Sequence, residues 1–261
     1  MTAGAAGLDA WFLLPVAALL FGVLALAPLG AQVLARGVVF IDLAVAQAAA
    51  AAALWVGAFV DHPDWLTTQA LAVAGALACA GAVALLSRRW PGQREALIGL
   101  LYVLGASVAL LGARQDPHGR ERLSDLLAAD VLWAQGHQVA VLAVCAAAVL
   151  LLGTRLTRDR VFFPVFAVVA SLAVPVLGLF LVFATLIAPA LWQRARVPRS
   201  VAWAIAIVAC AVGLAASWAF DAPSGACVAL ALSACGVLSA LHRGRAPMDR
   251  QDRDKAEASS G

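Results

Sequence analysis

Charge is what this sequence has least of. Only 13% of its 261 residues are Asp, Glu, Lys or Arg, whereas 64% are hydrophobic; a soluble domain carries about 25% charged residues. With a mean hydropathy of +0.92 the chain has too little polar surface to face water all round. That excludes the soluble, disordered, fibrous and disulfide-scaffold classes and leaves an integral membrane protein. Lysine is almost missing too. Lys255 is the only one, so the net charge of +3 is carried by arginine. The arginines stand in short clusters between apolar runs and read as topology signals rather than a nucleic-acid surface.

Chemistry-bearing motifs are equally scarce. The five cysteines (Cys79, Cys145, Cys210, Cys227 and Cys235) lie singly in apolar runs with no CxxC pair, the pattern of small buried side chains. His62, His118, His137 and His242 all lie outside the apolar runs. There is no HExxH, P-loop, Ser-His-Asp arrangement or dinucleotide fingerprint. The chain therefore has no visible means of hydrolysing ATP. No basic residue precedes Arg36, so the first apolar run lacks the basic flank of a signal peptide and is expected to belong to the fold.

What is present is a succession of apolar runs, each near the ~20 residues that a bilayer core requires. They cover about 11–30, 37–60, 66–86, 96–112, 139–152, 201–220 and 226–241. A polar stretch over 114–138 is expected to hold a short helix around Leu123–Trp133. Residues 161–191 are apolar but carry Pro164, Pro175 and Pro189. Two readings stand for this segment: a helix broken at Pro175 or a re-entrant pair lining a cavity, or two unusually short helices. The fold class is thus an all-α polytopic transmembrane bundle of about seven to nine membrane segments, one domain over 1–241. The polar tail 242–261 is expected to be disordered.

Arginine sidedness sets the orientation. Arg36, Arg88/Arg89/Arg94, Arg155/Arg158/Arg160, Arg194/Arg196/Arg199 and Arg243/Arg245 share one side, expected to be cytoplasmic, with the N-terminus outside and the C-terminus inside. The turns 61–64 and 221–225 carry no basic residue. Arg114, Arg120 and Arg122 break the rule, accompanied by Asp116, Glu121, Asp125 and Asp130.

Asp42 is the most informative residue. A carboxylate in an apolar span costs ~3 kcal/mol, so it faces a cavity, pairs, or binds a cation. The alternatives are a polar station on a permeation path, a partner for Arg36 one turn or so away, and a helix–helix hydrogen bond. Gln47, five residues on, lies roughly 140° around the helix from Asp42 at 100° per residue, so an undistorted helix does not aim both into one narrow site. The alanine run 48–53 suits close helix packing. Asp61, His62 and Asp64 place two carboxylates and an imidazole on one outer turn, either a weak ion-collecting site or a solvated turn.

Read together, several segments resemble the membrane subunit of bacterial zinc/manganese ABC importers. Ala27-Pro28-Leu29-Gly30 through Gly57 is similar to that family's second-helix region, GPLG…FGDxxxHA. Glu95 to Ala106 resembles its middle helix, and His118 to Trp133 its loop ending in a GDIL-type sequence. Val176 to Ala190 resembles VGxLLVxALLIIPA, and Asp221 to Ala226 resembles DxPAGP. The resemblance covers about 25–241, in order. It implies a homodimeric permease for a divalent metal, zinc first and manganese or iron next. It also implies a separate cytoplasmic ATPase that carries ATP, a periplasmic or lipid-tethered solute-binding protein, and no cofactor bound by this chain. Asp42 and Gln47 then fall on the metal pathway. Ala188, Pro189, Trp192, Arg194 and Arg196 fall on the ATPase-coupling segment, with a helix break at Pro189. The sequence departs from the family where Ile41 replaces the Gly before the Asp and Ala46 occupies the His position. The rival readings are an ABC permease for a non-metal solute or metal-chelate, and a carrier without an ATPase.

Overall fold

The computed structural model describes residues 5–59, 64–115, 119–127 and 129–243. Among these there is no strand. Ten helices follow one another: α1 Ala5–Arg36, α2 Ile41–Phe59, α3 Trp65–Arg89, α4 Arg94–Ala113, α5 Gly119–Leu127, α6 Gly136–Leu152, α7 Asp159–Leu177, α8 Leu179–Arg194, α9 Arg199–Phe220 and α10 Ser224–Arg243. α1, α3, α4, α6, α7 and α9 are long and apolar enough to cross a membrane; α2, α8 and α10 are shorter apolar helices. The tail beyond Arg243, with His118, falls outside the described residues.

The helix ends are written in the local sequence. α1, α8 and α9 each stop on a residue in the left-handed region: Gly37 (φ 62°), Arg196 (φ 65°) and Asp221 (φ 50°). In each case the next amide reaches back five residues to a helical carbonyl: Val38 to Val33, Val197 to Trp192 and Ala222 to Ser217. This satisfies orphan carbonyls at the helix end. Pro198 and Pro223 follow two residues after the last two of these. Asp64 caps α3 by accepting from the Thr67 amide at 3.3 Å. Hydrogen bonding from the Thr67 side chain, helped by that amide, holds its carboxyl below the usual carboxylate range.

Two expected breaks are corrected. Residues 161–191 reverse at Gly178 (φ 79°, ψ 154°), a conformation open to glycine, whereas Pro175 lies inside α7. Proline removes the amide that would bond the carbonyl four residues back. Here that carbonyl is Ser171 O, and it accepts instead from Gln69 Nε2 of α3 at 3.2 Å. A tertiary donor thus keeps α7 continuous. Pro189 likewise lies buried inside α8, which runs on to Arg194. The polar stretch after α4 also differs from expectation: its helix is α5, ending at Leu127, followed by a separate 3-10 turn Val131–Trp133. Asp130 caps that turn through the Leu132 amide.

The packing is tight where glycines let backbones meet. A methyl group on Gly30 of α1 would lie 1.8 Å from the Leu186 carbonyl oxygen of α8, and one on Gly213 of α9 would lie 2.5 Å from the Val228 Cα of α10. Neither neighbour is a side chain that can swing away, so α1–α8 and α9–α10 are small-residue contacts of the kind membrane helices use. Gly30→Ala is expected to destabilise the protein by about 1–3 kcal/mol, read as a lower thermal midpoint in detergent. An unchanged midpoint would contradict this contact.

Candidate functional site: a cavity open at one end and closed at the other

Two features lie at opposite ends of the bundle. At one end a cavity of about 570 Å3 opens between α2, α3, α7 and the segment joining α5 to α6. Its walls are mostly apolar: Ala46, Ala49, Ala50, Ala53 and Leu54 from α2, and Val174, Pro175 and Val176 from α7. The polar lining consists of Thr68, Gln69, Asp130, Gln138 and Ser171. Asp130 is already engaged, accepting from the Leu132 amide and from Ser224 Oγ of α10 at 2.5 Å. Trp65 and Trp133 stand at the mouth and are both exposed. Trp65 packs edge-on against His137.

The arginine-rich end is closed. The turn between α1 and α2 is held from several elements at once. Arg36 Nε bonds Asp159 Oδ1 of α7 at 3.0 Å. Its other nitrogens donate to Gln32 Oε1, Leu156 O and Thr157 O at 2.8, 3.0 and 2.7 Å. The guanidinium also lies 4.2 Å from the centre of the Phe162 ring. Arg94 of α4 donates to Arg36 O, Arg194 of α8 donates to Leu34 O, and Glu95 Oε1 accepts from the Val39 amide at 2.7 Å. The clusters at 36, 88–94, 155–160 and 194 therefore meet at one end, as the arginine pattern requires.

Asp42 lies between these features. It is the second residue of α2 and is 1% exposed, and neither carboxylate oxygen has a hydrogen-bond partner among the described residues. Arg36 is not its partner, because Asp159 takes that guanidinium. The first turn of a helix favours a negative charge, which offsets part of the burial cost. Ala46, one turn further along the same helix face, is in the cavity wall. Asp42 therefore sits one turn beyond the cavity, towards the closed end.

The other sequence-derived candidates separate. Gln47 is buried, does not line the cavity, and its Cβ lies against Gly105 of α4. Asp61 and His62 fall outside the described residues, leaving Asp64 as a helix cap. Ala188 and Pro189 are buried in the core. Trp192 donates to the Cys235 carbonyl of α10 at 3.1 Å, while Arg194 and Arg196 are exposed at the basic end. Gln69, Ser171 and Asp130 are cavity residues that the sequence reading passed over. The run Thr67-Thr68-Gln69 and Ser171, polar within apolar stretches, were the available signals.

Residues 155–243, about a third of the chain, match the ABC 3 transport family. The fold is similar to that of a chain in PsaBC from Streptococcus pneumoniae in complex with Fab, with a TM-score of 0.66, 16% identity, and coverage of 86% of this chain and 88% of that one. No curated protein matches significantly. The ABC-3 match spans α7 to α10, and so includes the wall of the cavity formed by α7 and the exposed arginines after α8.

Arg36 and Asp159 are unequal partners, with side chains 13% and 44% exposed. Arg36→Ala also strands three acceptors besides Asp159, and is expected to cost about 3–5 kcal/mol. Asp159→Asn loses a half-exposed pair worth at most about 1 kcal/mol. Thermal unfolding of the two variants in detergent checks the asymmetry. Equal losses would show that the ion pair alone, and not the set of bonds on Arg36, closes this end.

Proposed function

We propose that this chain is the membrane permease of an ATP-driven importer for a divalent metal ion, zinc first, working as a dimer by alternating access. The reading rests on one observation above the others: an unpartnered carboxylate, Asp42, lies on the closed side of a cavity that is open at the opposite end. An ion admitted to the cavity has one turn of helix left before it meets a negative charge. Weak coordination suits a path, since an ion held by many ligands is slow to leave. The family match supports the ATP-driven part of the reading, and the arginine-rich end supports its sidedness.

On this reading the basic end is cytoplasmic, the cavity faces outward, and the chain lies in the inner membrane with its N-terminus outside and C-terminus inside. Residues 1–241 form one permease domain. A separate ATPase docks near Trp192, Arg194 and Arg196, where the charged side chains are exposed. Ala188 and Pro189 contribute from within, by setting the course of α8. A solute-binding protein delivers the ion at the cavity mouth, past Trp65 and Trp133. Asp42 is the oxygen ligand on the path, and Gln47 supports α2 at its contact with α4.

A second reading has its own observation. Among the described residues no group of three or more His, Cys, Asp or Glu side chains comes together, and the cavity is largely apolar. A permease for a metal-chelate or a non-metal solute would need such walls more than a bare ion does.

Whole-cell metal content separates the readings, measured for many elements at once under metal limitation. Deleting the chain is expected to lower zinc or manganese selectively. Asp42→Asn is expected to reproduce that loss while the ATPase still co-purifies with the chain. Normal metal content in the Asp42→Asn strain would remove the ligand role. No change in any element on deletion would favour the non-metal solute.

A further inference from the structure

A second cavity, of about 320 Å3, lies between α3 and α7 at the basic end. Its apolar part runs along one stripe of α3, through Leu77, Gly81 and Leu85. These residues are spaced at four-residue intervals and so share a face. Leu77 and Leu85 are exposed. A methyl group built on Gly81 would meet nothing within 4 Å. This glycine therefore does not mark a close helix contact; its missing side chain leaves the groove open. The opposite wall is Phe163 and Pro164 of α7.

The groove ends in charge. Arg88, seven residues beyond Gly81 on the same stripe, and Arg160 of α7 both line it and are both exposed. Asp159 lies between them, but its oxygens are shared with Arg36 at 3.0 Å and Arg88 at 3.6 Å. Three guanidinium groups against one carboxylate leave two net positive charges at the headgroup end of an apolar slot. A soluble anion would use the charges and leave the slot empty. An acyl chain of a neutral lipid would use the slot and leave the charges unmatched.

We propose that this groove is a binding site for an anionic glycerophospholipid of the leaflet at the basic end. One acyl chain lies along Leu77, Gly81 and Leu85, and the phosphate sits between Arg88 and Arg160. The complementarity has two independent parts, a length of open apolar slot and a net charge placed at its end, and basic pockets between membrane helices are where such headgroups are held. The site is separate from the cavity that opens at the other end. It joins α3 to α7, the same two helices that Gln69 and Ser171 join near the cavity, so an occupied groove ties the lower halves of both cavity walls together.

The test uses the full chain purified in mild detergent and offered equal amounts of phosphatidylglycerol and phosphatidylcholine, with retained lipid counted by native mass spectrometry. The wild-type chain is expected to retain phosphatidylglycerol preferentially. Arg88→Gln/Arg160→Gln should lower that preference by roughly tenfold or more, from two arginine–phosphate contacts. Gly81→Phe fills the slot without touching a charge and should lower lipid retention likewise. Arg196→Gln/Arg199→Gln removes the same charge at the same end and should leave the preference unchanged; circular dichroism confirms that each variant is folded. Equal preference in wild type and Arg88→Gln/Arg160→Gln overturns the proposal, as does an equal loss in Arg196→Gln/Arg199→Gln. A third result would also overturn it: if Gly81→Phe converts a dimer to a monomer without changing lipid retention, the groove is covered by a second copy of the chain.

Discussion

The turn between α1 and α2 must be held shut, and the arrangement of the cavity depends on that. Its backbone groups are part-buried at the basic end of the bundle, where one left unpaired would cost free energy. Arg36 O, Leu34 O and the Val39 amide are bonded by Arg94, Arg194 and Glu95, while the Arg36 side chain ties the end of α1 to the segment before α7 and to α7 itself. Four elements are thereby fixed to one turn. With that end closed, the space between α2, α3 and α7 can open only towards the other end, and Asp42 is left buried beyond it.

The cavity has a comparable dependence on a single contact. Pro175 leaves Ser171 O without its helical donor, and Gln69 supplies one from across the space. The same side chain therefore lines the cavity, holds two of its walls together and keeps α7 continuous. A chain that moves by rocking these helices must exchange or stretch this bond and the set on Arg36. The two contacts are natural points for a two-state element, one at each end of the path.

The spans were legible in the sequence because lipid makes unusual demands: ~20 apolar residues per crossing and arginines on one side. Gly37 after Arg36, and Asp221 before Pro223, also announce helix ends in local terms. The end of α7 was not legible. Pro175 looked like the break because the donor that rescues it, Gln69, is 106 residues away. Pro189 misled in the same way, since its helix stops at a left-handed Arg196 rather than at the proline. Arg36 was weighed as a partner for Asp42 because it is close in sequence; its actual partner, Asp159, is 123 residues distant. At Pro175 and at Arg36 a long-range hydrogen bond prevailed over a local rule. Asp42 itself stood out early, as the one carboxylate in its apolar run, but its position beyond the cavity needed the fold.

The proposed function turns on a path that is open through the cavity down to Ala46 and closed at Asp42, with the cavity facing outward. With Cys79, Cys145, Cys210, Cys227 and Cys235 replaced, single cysteines at Ala53, Ala49, Ala46 and Asp42 sample about 16 Å of α2. A membrane-impermeant maleimide is added from the outside, without ATP turnover. The account predicts labelling at the three alanine positions and protection at Asp42→Cys. Labelling of Asp42→Cys as fast as Ala53→Cys, or protection of all four positions, would contradict it.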